Sequence, residues 1–361
     1  MFATMVPMES ARIDTGTAAR VGTLSLLLLV TMSVHAEEHH TLRAAAGDFG
    51  IGAAVNRGAF FDDAAYRAVL GREYNMLVAE NVMKMHHLRP GPDTFDFEAA
   101  DAMVDFALSN DMRVRGHTLL WHQSVPQWLA TGAWTRAQAL DILHDHIMNV
   151  VTHFKGRVFA WDVVNEAIDD KGGLRMSFWL KHIGPDYLEW AFRWAHQADP
   201  DALLFYNDYS AEAVNRKSDE VYALAQDFLA RGVPIHGVGL QAHWTAQNYP
   251  SLASVASNMT RLGALGLQVH VTELDFRIAE PVDEAKLARQ AEAYEALTKL
   301  CVENEACTAM LTWGFTDRRS WVPRFFKGFG AALPFDENLQ PKPAYYGILR
   351  GLSGGEVSSD Q

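Results

Sequence analysis

Two glutamates each close a short apolar run: Glu166 in Val-Val-Asn-Glu and Glu273 in Thr-Glu-Leu-Asp. A pair of carboxyl groups facing one cleft is the minimum equipment for cleaving a glycosidic bond, one protonating the leaving oxygen while the other attacks or activates water. The two lie far apart in the chain, so only the fold can bring them together. Taken singly, each is as readily a salt-bridge partner as a catalyst. Their neighbours separate the roles. Asn165 can donate its amide to a substrate hydroxyl, Asp275 follows Glu273 by two residues, and His243 is placed to bridge Glu273 and Asp275. Negative charge beside a carboxyl group raises its proton affinity, so ionised Glu273 is expected to keep Glu166 protonated until Glu273 is esterified.

Sugar rings present apolar C–H faces that stack on indole and phenol rings. Trp121, Tyr209, Trp244, Trp313 and Trp321 all fall on or just after the ends of apolar runs that read as strands. One such residue alone would be read as core packing; together they suggest the walls of a sugar site.

The elements that must position these groups alternate along the chain. Eight short apolar segments read as buried strands: 50–55, 76–80, 113–118, 158–164, 203–207, 237–241, 268–272 and 310–314. Between them run amphipathic stretches of helical period. Examples are Ala100, Met103, Val104 and Ala107; Tyr187, Trp190, Ala191 and Trp194; Val221, Leu224, Ala225 and Phe228; and Leu252, Val255, Ala256 and Met259. Eight alternations without a Pro- or Ser-rich linker predict an α/β fold, a single (β/α)8 TIM barrel. A doubly wound sheet is the alternative, but no glycine-rich phosphate loop follows the first strand. Barrel sites are assembled at the C-terminal ends of the strands, where the reactive residues cluster here.

Composition bounds the rest. Arg12 and Arg20 precede the apolar run 24–30, which reads as a secretory signal peptide over residues 1–36, with an uncleaved anchor as the alternative. The catalytic domain is then 37–361, secreted and free of the membrane. A formal net charge of −13, with no basic patch in the sequence to offset it, argues against a nucleic-acid or anionic-membrane partner. Cys301 and Cys307, the only cysteines, are expected to form a disulfide in an oxidising compartment, the alternative being two reduced, buried thiols. No metal or cofactor is expected. His39 and His40 lie near the start, His86 and His87 would diverge on an extended segment, and His144 and His146 occupy different faces of a helix. Only His117, His122 and His243 reach the rim.

The motifs Ala-Glu-Asn-Val-Met-Lys (79–84), Arg-Gly-His-Thr-Leu-Leu-Trp-His (115–122), Trp-Asp-Val-Val-Asn-Glu-Ala (161–167), Tyr-Asn-Asp-Tyr (206–209), Gly-Val-Gly-Leu-Gln-Ala-His-Trp (237–244), Val-Thr-Glu-Leu-Asp (271–275), Thr-Trp-Gly-Phe-Thr-Asp (312–317) and Lys-Pro-Ala-Tyr-Tyr (342–346) occur in order. In this order and spacing the chain resembles glycoside hydrolase family 10, whose members are mainly endo-β-1,4-xylanases. The resemblance implies Glu166 as acid/base, Glu273 as nucleophile, Asn165 on the 2-hydroxyl, and His243 positioned by Asp275. It implies Glu80, Asn81 and Lys84 on the non-reducing side of the cut, His117, Trp121 and Gln241 around the reacting ring, Trp313 and Trp321 as walls there, and Tyr209 on the leaving-group side. The implied substrate is β-1,4-xylan or xylo-oligosaccharides, cleaved with retention by a monomer. Met85 and Ser210 depart from the family's usual Trp and Asn and bear on binding along the cleft. β-1,4-Glucan hydrolysis and a non-catalytic sugar-binding barrel are the alternatives.

Overall fold

The computed structural model describes residues 41–354. The expected leader and the His39–His40 pair lie outside them. Eight parallel strands close into a barrel: β1 (Gly50–Val55), β2 (Met76–Ala79), β3 (Arg113–Trp121), β4 (Ala160–Asn165), β5 (Leu203–Asp208), β6 (Gly237–Leu240), β8 (Gln268–Ala279) and β9 (Cys307–Thr312). Each pairs with the next, and Ile51 of β1 and Val271 of β8 both stand opposite Met310 of β9, which shuts the ring. Two short strands lie outside it, β7 (His243–Thr245) beside the outer half of β8 and β10 (Phe329–Gly330) antiparallel to its end.

The first strand has the predicted limits, whereas β3 and β8 run farther, and β9 starts at Cys307 and stops short of Trp313. In β8 the extension follows from Phe276 and Ile278, which are fully buried and continue the apolar alternation past the acidic Glu273 and Asp275.

Helices cover the outside of the barrel, and their starts are fixed by side-chain caps. Asp63 accepts from the backbone N–H groups of Ala65 and Tyr66, and Asp283 from that of Lys286. Thr135 with Gln138 and Asn215 with Ser218 form reciprocal capping boxes. Helix 187–198 corrects one expected face. Its buried stripe is Tyr187, Leu188, Ala191, Phe192, Ala195 and Ala198, while Trp190 is 39 % exposed and stacks on Trp194 at 5.2 Å. Two indoles four residues apart cover each other at the edge of the helix and leave the core to smaller side chains.

Cys301, near the end of helix 284–303, is bonded to Cys307, the first residue of β9. This disulfide lies at the N-terminal end of the strand, on the opposite rim from the clustered polar residues. Among the described residues, no helix is long and apolar enough to cross a membrane, and no three His, Cys, Asp or Glu side chains form a group able to hold a metal.

Candidate active site

Glu273 lies within β8 and is 5 % exposed. His243 Nε2 stands 3.2 Å from its Oε2, while His243 Nδ1 stands 2.8 Å from Asp275 Oδ2. Burial alone would strip the proton from this imidazole, but the two flanking carboxylates prevail and raise its pKa from 6.5 to about 10. His243 is therefore an imidazolium that donates through both nitrogens. Glu273 responds in the opposite sense. Burial favours its neutral form, yet the bond from His243 and the positive potential of His117 and His243 hold its carboxyl below the usual range. It is an ionised, dry carboxylate facing a cleft.

Glu166 follows β4 and adopts a left-handed backbone, φ 59°. A non-glycine residue there carries about 1 kcal/mol of strain, and such outliers gather at functional sites. Its position is held by its own N–H donating to Asn207 O at 2.9 Å and its carbonyl accepting from Arg175 Nε at 3.0 Å. Among the described residues, all hydrogen bonds to its carboxyl group come from neutral donors: Trp121 Nε1 at 2.8 Å, Gln241 Nε2 at 3.0 Å and Asn165 Nδ2 at 3.2 Å. His122 comes within 3.8 Å, but burial lowers its pKa and favours the uncharged ring.

The two carboxyl groups are linked by amides. Asn165 Oδ1 accepts from Gln241 Nε2 at 3.2 Å and from Asn207 Nδ2 at 2.9 Å, and the same Asn207 nitrogen donates to Glu273 Oε1 at 2.8 Å. Asn207 Oδ1 accepts from Thr272 Oγ1 at 2.7 Å, which fixes the amide's orientation. Room for it exists because the residue opposite in β6 is Gly239, where a Cβ would stand 2.1 Å from Asn207 Oδ1.

Beneath this layer lies a charged barrel floor. Arg115, fully buried, bonds Asp162 through Nε at 3.1 Å and again through Nη2, and its Nη1 stands 2.8 Å from His270 Nδ1. Burial and the adjacent arginine charge push His270 well down, so its neutral Nδ1 accepts from Arg115. Asp162 also meets His117 Nδ1 at 2.9 Å; despite burial, Arg115 and His117 hold its carboxyl below the ordinary range.

The site residues expected from the sequence, together with Arg175, Glu212, Phe325 and Phe326, line or directly support one cleft of about 440 Å³. Lys84 donates to Asn81 Oδ1 at 3.0 Å and lies 4.6 Å from the Trp121 ring centroid, while Glu80 accepts from Asn56 at 2.9 Å. Trp313 meets His117 edge-on at 5.1 Å, and Trp321 anchors its Nε1 on Asp275 Oδ2 at 2.9 Å. Tyr209 is held from several sides. Its hydroxyl donates to Asp170 at 2.7 Å and accepts from Arg175 at 2.9 Å, and Lys217 Nζ sits 3.5 Å from its ring centroid.

Trp244 also lines the cleft, with part of its ring packed against Tyr249 and Phe276. One expectation changes. His86 and His87 do not diverge on an extended segment; they share a helical turn, 85–88, with ring centroids 4.2 Å apart. Sequence reasoning assigned no role to Asn207, Arg115, Asp162, Glu212 or Phe325. Glu212 is a buried carboxyl that accepts from the Ala242 N–H at 2.9 Å and steadies that residue's left-handed turn, φ 62°, between Gln241 and His243.

Endo-1,4-beta-xylanase B of Thermotoga neapolitana is 44% identical over 333 residues, 90% of this chain and 95% of that protein. Native xylanase 10B from Thermotoga maritima superposes with a TM-score of 0.85 at 46% identity, covering 87% of this chain and 98% of the other. Xylanase 10B from Thermotoga petrophila RKU-1, solved in complex with xylobiose, gives 0.85 at 45% identity, with 87% and 97% covered. The model of glycosyl hydrolase family 10 matches residues 41–350, and the chain belongs to that family.

Proposed function

We propose that this enzyme is an endo-1,4-β-xylanase that hydrolyses internal bonds of xylan with retention of configuration. The observation that carries the assignment of roles is the unequal treatment of the two carboxyl groups. Glu273 is held ionised by a buried imidazolium, whereas among the described residues Glu166 accepts hydrogen bonds only from neutral groups. A carboxylate with a cation fixed behind it is suited to attack. A carboxyl group without one is suited to exchange a proton.

In the first half-reaction a Glu273 oxygen bonds to the anomeric carbon as the glycosidic C–O bond breaks, and Glu166 passes its proton to the departing oxygen. In the second, Glu166 takes a proton from water as the water oxygen bonds to the anomeric carbon and releases Glu273. Asn165, fixed by Asn207 and Gln241, presents its amide beside Glu166, where the 2-hydroxyl of the reacting sugar is taken to lie. Glu80, Asn81 and Lys84 bind the non-reducing side and Tyr209 the leaving-group side. Xylan as substrate is supported by the xylanase relatives and by the xylobiose complex of the Thermotoga petrophila enzyme. The chain is further proposed to be secreted and monomeric; the leader pattern at residues 1–36 and the disulfide support export.

The test is product analysis on arabinoxylan beside carboxymethyl cellulose, with Glu273→Ala in parallel. The wild type should release reducing ends from arabinoxylan much faster than from the cellulose derivative. The variant should lose nearly all turnover, recover part of it with azide, and give a glycosyl azide of inverted configuration. Full activity in the variant would remove Glu273 from its role, and faster cleavage of the cellulose derivative would remove xylan.

A further inference from the structure

Beyond Trp321 the chain makes one helical turn, 322–325, whose last residue, Phe325, is 72 % exposed. Single exposed apolar side chains are ordinary. This one, however, lines the same cleft as Glu166 and Glu273, and its ring centroid lies 5.1 Å from that of Trp321.

Its surroundings are fixed while its outer face is open. Trp321 is tied to Asp275, Val322 is fully buried, and Phe326 is covered by the Arg277 guanidinium at 3.9 Å. Arg277 in turn donates to His243 O at 3.1 Å. These anchors belong to β7 and the outer half of β8, which continue from the β6 side of the barrel. β2, which leads into Glu80, Asn81 and Lys84, stands across the ring from β6.

We infer that Phe325 is the platform of an additional sugar subsite on the leaving-group side of the cut, taking a xylopyranose ring of the departing chain. The subsite rests on the proposed xylan hydrolysis. A phenyl ring has no hydrogen-bonding group, so it meets a sugar only through the C–H face, and the flat, uncovered side of Phe325 offers that contact. Such a platform adds affinity for a longer chain and takes no part in the chemistry at the anomeric carbon.

The experiment compares wild type, Phe325→Ala, Phe325→Leu and Phe325→Trp on two substrates. β-Xylobiosyl fluoride carries no sugar on its leaving side, whereas reducing-end-labelled xylohexaose can fill that side. The quantity read is the ratio of kcat/KM on the hexaose to kcat/KM on the fluoride. For F325A and F325L the ratio should fall about fivefold, the size of one aromatic contact, with cleavage moving toward the labelled reducing end, and F325W should keep the wild-type ratio. A ratio unchanged within about twofold in both F325A and F325L would overturn the subsite, whatever happened to the separate rates. Failure of the wild type to cut xylohexaose would instead overturn xylan hydrolysis, and the subsite with it.

Discussion

Asn207 Nδ2 donates to Glu273 Oε1 at 2.8 Å while also donating to Asn165 Oδ1, so one buried amide ties β4 to β8 at the candidate active site. Replacing Asn207 by Ala removes a preorganised donor from Glu273, the proposed nucleophile, and frees Asn165 to turn. Loss of one such donor lowers kcat by about 10²-fold. The unpaired Thr272 hydroxyl left behind costs about 1–3 kcal/mol of stability. Steady-state kinetics on an aryl β-xylobioside and a thermal melt would check both. A melt shift without a kinetic defect would make Asn207 purely structural.

His243 sets a pH dependence whose sign can be worked out. Glu273 is held below the usual carboxylate pKa of 4.5, so the acid limb of kcat/KM should fall below that value in the wild type. His243→Ala removes the cation that opposes burial, so Glu273 should rise and the acid limb should move to higher pH. Stability follows the same linkage. The folded pKa of about 10 exceeds the ordinary 6.5, so the stabilisation from protonated His243 is complete below 6.5 and is lost as pH rises through 10. The melting-temperature gap between wild type and His243→Ala should therefore narrow across that window. An acid limb that stayed in place would contradict the coupling.

The barrel was legible because parallel strands buried on both faces read as apolar runs, and β1 falls on its predicted limits. The meeting of Glu166 and Glu273 in one cleft was legible because polar residues at strand ends are costly unless used. What escaped was held across strands. Asn207 acquires its role from Asn165 on β4 and from Thr272 and Glu273 on β8, and no local spacing encodes those contacts. A signal did exist in Arg115 and Asp162, charges set in the middle of apolar strands, where a residue meant only to pack would be apolar. Phe325 escaped for the opposite reason, since it follows no strand end and its exposure appears only in three dimensions.

The Arg115–Asp162 pair should be far more costly to break than a surface pair of similar form. Asp162→Asn leaves the guanidinium of Arg115, fully buried, without a counter-charge, a change worth about 3–5 kcal/mol. Asp186→Asn breaks the pair with Arg136, in which the side chains are 40% and 54% exposed, and should cost no more than about 1 kcal/mol. Urea denaturation of the two variants would check the contrast, and comparable losses would show that the barrel floor is well hydrated.

The disulfide should govern stability while leaving catalysis alone. It joins residues six apart, with Cα atoms at 5.2 Å, between the end of helix 284–303 and the start of β9. Closing so short a loop removes little freedom from the unfolded chain, which limits the stabilisation to about 2 kcal/mol. The site lies at the other end of β9, past Thr312, and none of its residues touches the cysteines. Replacing both cysteines by serine should therefore lower the melting temperature by a few degrees and leave kcat and KM on xylan unchanged. Thiol reductant should lower the wild-type melting temperature toward that of the double variant and leave the variant's own unchanged. A double variant that melted normally but lost activity would show that the lower rim is coupled to the site through the strand.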